Sequence, residues 1–268
     1  MTSIALRLIA LLLITSGVAL TGNAQTDEPY LATLSIQRAG SDDTPLGELV
    51  RFDMHVNDPQ ATAASFAKIE GLTVLEVGQD TVTIVAIEAP TAAAATDEYL
   101  RSSTFVIDYD EQSMLDLLNK FQADYGSSIS TADMVNFVFE YIDDKTYARS
   151  FDFASKVAAS GAGDCTEHAV LLAALARANG LYARVIFGTL ILDLDGGLAA
   201  YGHAWTEIHD GTRWQIRDAT LPADDSSAPR MRYLPVSVLT NEGPGYSFSM
   251  LEIMNAMPSR ISGVENQD

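Results

Sequence analysis

The chain has 268 residues, is 47% hydrophobic, and carries 36 acidic against 16 basic side chains, a formal charge of −20. This composition is too apolar for a disordered chain, and the length suits one large domain or two small ones. The acidic balance argues against nucleic acid and anionic membrane surfaces as partners, and the single cysteine excludes an internal disulfide.

Residues 1–24 read as a secretory signal peptide. Arg7 is the only charge, and the apolar run Leu8–Leu20 is short for a membrane span. Gly22-Asn23-Ala24 supplies a small-residue cleavage site, with Gln25 as the new N-terminus. An uncleaved anchor is the alternative. Cleavage removes no acid and leaves 15 basic residues against 36 acidic ones. No other stretch is long and apolar enough to cross a membrane. The mature chain is therefore expected to be periplasmic or secreted, with no stable membrane insertion. A free thiol in an oxidising compartment is a liability unless it is buried or used.

Residues 25–97 are expected to form a small, mostly β domain. Leu31–Ile36 alternates loosely and Val50–Val56 cleanly, while Ala61–Ile69 suits a short helix. Leu72–Val77 and Thr81–Ile87 flank Gly78-Gln79-Asp80, a hairpin signal. His55 stands alone and suggests no chemistry. Ala89–Asp97 has linker composition. A second domain is expected over 98–240, with 241–268 as a tail packed on it.

Helical periodicity begins after Asp110, with Met114, Leu118, Phe121 and Tyr125 on one face and Gly126 as the stop. Ser130 suits the N-cap of a helix lined by Met134, Phe137, Val138 and Tyr141. Phe151–Ser160 reads as a loop with a helical turn. It leads into Gly161-Ala162-Gly163-Asp164-Cys165-Thr166-Glu167-His168, then an apolar run to Ala178, then Asn179-Gly180. Glycines before and Asn-Gly after mark a buried helix with Cys165 in its first turn. The partial positive charge there favours a thiolate. Packing is the commoner role of a lone free cysteine, so the downstream residues decide.

Tyr182–Phe187 and Thr189–Leu194 are strand-like. Asp193-Leu194-Asp195-Gly196 lacks the final glutamate of a calcium loop, since Ala204 stands there, and is rejected as one. Tyr201–Ile208 and Thr212–Asp218 read as strands around Asp210-Gly211, a two-residue hairpin turn. Counting from that turn sets His209 opposite Thr212, Glu207 opposite Trp214, Trp205 opposite Ile216 and His203 opposite Asp218. A carboxylate beside an imidazole fixes its tautomer and stabilises the imidazolium, and a cysteine within reach completes a nucleophile–base pair. Taken singly, His203 suits a satisfied half-buried histidine and Asp218 a strand-end cap. Taken with Cys165, they favour catalysis over coincidence.

These residues resemble a known family. Gly163–Ala169, Leu175–Arg184, Gly188, His203-Ala204-Trp205, Trp214 and Asp218-Ala219-Thr220 are similar to the bacterial transglutaminase-like superfamily over roughly residues 98–222. The resemblance implies an α+β fold with a papain/transglutaminase-like core, a nucleophile helix packed on an antiparallel sheet. It implies Cys165 as nucleophile, His203 as general base and acid, and Asp218 as orienting acid, with no cofactor and no metal. Leu181-Tyr182 stands where Ile-Pro is common. Members include peptidases, amidases, amide-crosslinking enzymes and inactive forms. The expected function is an exported cysteine acyl-transfer enzyme acting on a peptide or protein amide through a thioester. Peptidase or amidase chemistry is ranked ahead of crosslinking because water is always present. A non-catalytic binding or assembly module with a vestigial triad is the alternative.

Four side issues complete the expectation. Tyr147 is a weak candidate for a second oxyanion donor beside the Cys165 N–H. His168 suits a cleft wall or a hydrogen-bonding role, with a zinc site alongside Cys165, His203 and Asp218 as the competing reading. Trp205 is expected to pack beneath the site. Beyond the polar loop 223–228, Tyr233–Leu239 suits a strand. Ser247–Met257 suits a helix packing through Phe248, Leu251, Met254 and Ala256, and Val264–Asp268 is expected to fray.

Overall fold

The computed structural model describes residues 33–40, 44–88, 97–126, 129–145, 151–194, 197–221 and 230–267. The signal segment, most of the expected linker, Tyr147 and the polar loop 223–228 lie outside the described residues. The described elements run β1 (Thr33–Arg38), β2 (Leu49–His55), α1 (Pro59–Phe66), β3 (Leu72–Val77), β4 (Thr81–Ile87), α2 (Gln112–Tyr125) and α3 (Thr131–Tyr141). They continue as α4 (Ala154–Ser160), α5 (Cys165–Ala178), β5 (Ala183–Leu194), β6 (Gly197–His209), β7 (Trp214–Arg217), β8 (Arg230–Val238), α6 (Tyr246–Ala256) and β9 (Arg260–Asn266).

The fold is α+β. The strands follow the order β3-β4-β2-β9-β1-β6-β5-β8, with β7 beside β6. The β1–β9 ladder is parallel, and the other described ladders are antiparallel.

Helix ends follow the local chemistry. Ser130 and Asp133 form a reciprocal capping box at the start of α3. Asp164 and Glu167 do the same at the start of α5, and Gly180 ends that helix with φ +81°. Between its caps α5 has no polar face from Ala169 to Ala176, and every one of those residues is buried. A helix apolar on all sides is stable only when enclosed. Here α3 and α4 cover it on one side and β5 and β6 on the other. Leu171, Leu172 and Leu175 are fully enclosed, each contributing about 1.5–3 kcal/mol of burial. A second core joins Phe52, Met54, Phe66 and Ile84 to Leu234, Val236, Ile261 and Val264.

Two polar pins set α5 on the sheet. Near its start, the Thr206 hydroxyl donates to the Ala169 carbonyl at 2.8 Å, inside the core. At its far end, Arg177 donates through Nε and Nη2 to the Ala183 carbonyl at 3.0 and 2.8 Å. The same guanidinium forms a two-pronged pair with Glu242, both side chains fully enclosed. Removing one partner of such a buried pair typically costs about 3–5 kcal/mol.

Four expectations change. Residues 154–160 form a complete short helix rather than a single turn in a loop. The two apolar runs around Gly188 are one 12-residue strand. Residues 264–267 do not fray: β9 lies between β1 and β2, pairing Ile261 with Ile36 and Met54, and Asn266 with Val50. Two strand edges and the burial of Ile261 and Val264 hold it there. Finally, Phe248, Leu251 and Met254 of α6 face outward at 75, 61 and 61% exposure. The helix packs instead through Tyr246, Met250, Ile253 and Met257. That stripe has equally good helical spacing, and it brings Tyr246 against Phe151 and Phe153. Among the described residues, no helix is long and apolar enough to cross a membrane.

Candidate active site

The site forms where the edge of β6 changes neighbour. β5 runs along one edge of β6. On the other edge, β1 pairs at Ala200 and Tyr201, and β7 pairs only from Thr206 to His209. His203 stands in the gap between them. Asp218 follows the last ladder residue, Arg217, and enters that gap, where its Oδ2 accepts from His203 Nε2 at 2.7 Å. Both side chains are almost wholly enclosed.

The register differs from the count made from the sequence. His209 faces Trp214 and Glu207 faces Ile216. The connection is therefore four residues, Asp210–Arg213, closed by the Asp210 N–H donating to the Arg213 carbonyl at 3.0 Å. Asp210 Oδ1 also accepts from the Thr212 and Arg213 N–H groups and from the Thr212 hydroxyl. The aspartate thus caps a wider loop instead of starting a two-residue turn. The ladder slides by two residues, and a slip of two preserves which face each side chain takes. Extended by one pair, it sets Asp218 beside Trp205, a diagonal neighbour of His203 and within its reach. The pair expected from the sequence meets, by a different register.

Asp218 is saturated with donors. Oδ1 accepts from the Thr220 N–H at 2.9 Å and the Thr220 hydroxyl at 2.6 Å. Oδ2 accepts from His203 and from the Tyr233 hydroxyl at 2.9 Å. Tyr233 was not visible as a site residue in the sequence. It reaches the site from β8, two strands away from β6, across Gly188. Gly188 lies directly opposite His203. A Cβ there would sit 2.3 Å from the Leu234 carbonyl oxygen and 2.7 Å from the Trp205 ring. The missing side chain lets the Trp205 indole lie across β5. The indole stacks on His203 at 6.2 Å and meets Tyr233 edge-on at 5.1 Å. Trp205 is only 1% exposed and packs beneath the site as expected. A glycine inside a strand was the one signal of this close approach.

Electrostatics favour an imidazolium–carboxylate pair. Burial opposes charge on both groups. Their mutual attraction and hydrogen bond outweigh it, raising the pKa of His203 and lowering that of Asp218. Cys165 adds to the rise at His203 as its other polar neighbour. Burial and the Asp218 charge push the Tyr233 phenol far up, so its hydroxyl remains a donor.

With Nε2 engaged by Asp218, Nδ1 is the nitrogen left for Cys165. The cysteine is half-buried at the first position of α5. Its N–H is one of the donors a helix start leaves without an intrahelical acceptor. Just before it, Gly163 has φ +152°, and a Cβ there would lie 2.2 Å from the Glu167 side chain. Glu167 is pushed up to about 7 by burial and by Asp164 beside it.

His168 is enclosed rather than lining an open wall. Its Nδ1–H donates to the Asp164 carbonyl at 2.6 Å, which leaves Nε2 to accept from Lys145 Nζ at 3.2 Å. Burial and the neighbouring ammonium push it down to about 4, so the ring is neutral. Among the described residues, no three His, Cys, Asp or Glu side chains are grouped to hold a metal ion. The constellation brings together a thiol, an imidazole and a fixed carboxylate, the kinds of group from which an acyl-transfer site can be built.

Comparison with known proteins agrees at the level of superfamily. Residues 117–219 match the family model of the transglutaminase-like superfamily. No curated protein matches the chain. Among solved structures, one neighbour is a candidate cysteine protease from Cytophaga hutchinsonii, with TM-score 0.42 and 12% identity over 88% of this chain and 84% of that one. Another is the periplasmic domain of TgpA from Pseudomonas aeruginosa bound to ethylmercury, with TM-score 0.41 and 14% identity over 75% of this chain and 86% of that one. The residues that carried the resemblance in the sequence lie largely within the matched segment, which supports a cysteine-based enzyme at superfamily level.

Proposed function

We propose that this transglutaminase-like core is a cysteine acyl-transfer site acting on peptide or protein amides, with hydrolysis as its main outcome. The observation that carries the reading is the His203–Asp218 pair enclosed beside Cys165, in the gap between β1 and β7.

The sulfur of Cys165 attacks the amide carbon, and the new C–S bond leaves an oxyanion beside the Cys165 N–H. One such donor is typically worth about 2.7–4 kcal/mol. His203 carries the thiol proton to the leaving nitrogen, and the C–N bond breaks to give a free amine and a thioester. Water then attacks the thioester, its proton passes to His203, and the C–S bond breaks to release a carboxylic acid and the thiol. An amine in place of water gives a new amide by the same steps. Asp218, held by Thr220 and Tyr233, keeps the imidazole oriented throughout. The leader-like residues 1–24 support a periplasmic or secreted setting for this chemistry.

Mass analysis of a defined peptide mixture, with and without added glycine methyl ester, tests the reading. The expected products are carboxylic acids, absent with Cys165→Ala. Dominant amine adducts would reverse the hydrolytic assignment, and no product in either arm would remove the enzyme reading.

A further inference from the structure

Beside this site stands a cation that the mechanism above does not use. Lys145 follows α3 on a segment laced to the approach of the nucleophile. The Asp144 N–H donates to the Gly161 carbonyl, and the Gly163 N–H donates to the Asp144 carbonyl at 3.0 Å. This brings Lys145 alongside Gly161–Gly163, immediately before Cys165. Its ammonium is half-buried against the Phe139 ring at 4.2 Å and donates to the Phe139 carbonyl at 3.0 Å and to His168 Nε2 at 3.2 Å.

The surroundings are unusual for a lysine. An ammonium has three N–H donors and accepts nothing. Two are directed by Phe139 and His168, and one is left over. No carboxylate of the described residues forms an ion pair with it, and Asp143 acts only from further away. The enclosed Arg177, by contrast, has Glu242. Lysines are rarely buried unless paired. Burial pushes Lys145 down to about 8, a penalty that an incoming anion would offset.

His168 completes the arrangement. Its other nitrogen is fixed on the Asp164 carbonyl, so it presents a lone pair that holds the ammonium in place. It also lies three residues after Cys165 on α5, and neighbours at that spacing have Cβ atoms about 5–6 Å apart. The ammonium therefore stands on the order of 10 Å from the sulfur, the length of about three extended residues.

We infer that Lys145, seated on His168 one helical turn from Cys165, anchors a carboxylate of the substrate, so that the favoured acyl donor is an acidic peptide with its charge within about three residues of the reacting amide. This deepens the acyl-transfer reading and rests on it. Binding such a substrate also needs a local cation, because the chain as a whole repels anions at a net charge of −20.

The single thiol makes a direct test available. Cys165 is alkylated in parallel with 4-maleimidobutyric acid and with its primary amide, and the rate ratio of acid to amide is followed by intact mass. The ratio should fall about threefold or more in Lys145→Met and be retained in Lys145→Arg, as expected for a charge rather than a shape effect. A ratio unchanged in Lys145→Met overturns the anchor and leaves the acyl-transfer reading standing. Failure of both probes to reach Cys165 in the native chain overturns both readings. A measurement on the unmodified chain guards against a misfolded variant. N-acetylglutamate α-amide should slow alkylation by N-ethylmaleimide more than the neutral N-acetylglutamine α-amide does, and equal protection overturns the anchor.

Discussion

Replacing Tyr233 with Phe removes one hydroxyl and keeps the ring that packs on Trp205. The lost bond is a donor to a carboxylate, an interaction worth about 1.5–3 kcal/mol. Asp218 retains the two Thr220 donors and His203, so the lower part of that range applies, about 1.5–2 kcal/mol. For a chain of this size that lowers Tm by roughly 3–8 °C. The pH dependence has a definite sign. The pKa of Asp218 is depressed in the folded state, so its stabilisation is present above the unfolded value of about 3.9 and is lost as pH falls through the folded one. The wild-type advantage over Tyr233→Phe should therefore hold at neutral pH and shrink below about pH 4. The variant also leaves the Asp218 charge less neutralised beside His203. Its imidazolium then becomes harder to deprotonate, and the alkaline limb of kcat/KM moves up. Urea unfolding at pH 7 and at pH 3, with a pH–rate profile, reads both effects. An unchanged urea midpoint, or an alkaline limb displaced downward, would refute the assigned role of Tyr233.

Cys165→Ala should abolish turnover and leave the unfolding midpoint near wild type; residual full activity would remove the thioester route. Asp218→Asn should lower the rate by about 10³–10⁴-fold with the fold intact. It also removes the partner that raises His203 against burial, so the alkaline limb should move down, opposite to Tyr233→Phe; a limb that stays put would show that the aspartate does not set the imidazole. Gly188→Ala places a Cβ 2.3 Å from the Leu234 carbonyl oxygen, a backbone atom with little freedom to yield. A cost of about 1–3 kcal/mol is expected from overpacking alone, and a Tm equal to wild type would contradict the close approach described here.

Much of this arrangement was readable before any coordinates, for reasons that are local. Asp164 and Glu167 cap α5 with their own side chains, so the helix that begins at Cys165 announces its start within four residues. His203 and Asp218 sit on one hairpin, and the face a strand residue takes depends only on parity. That is why a register wrong by two still brought them together. The loop itself misled, because Asp-Gly suits a two-residue turn and an aspartate-capped loop equally well. Tyr233 could not be found this way. It reaches Asp218 through the β5–β8 ladder, whose partners are separated by 37 to 52 residues. Nor could β9, whose short sequence carries Gly263 and two charges and owes its strand to the edges of β1 and β2. The outward face of α6 has the same origin, since its sequence offers two apolar stripes and only tertiary contact with Phe151 and Phe153 selects between them.

The position of β9 also bears on how the molecule can be built. Residues 35 and 260 are partners in a parallel ladder, and such distant pairings form slowly because a long loop must close first. Until residues 260–266 are available, β1 and β2 each lack one neighbour and present bare main-chain donors and acceptors. β1 in turn borders β6, the strand that bears the imidazole. The final architecture of this sheet therefore waits on a segment almost the whole chain away from its first strand, and until that segment docks the half-built sheet has open edges on which other chains can add.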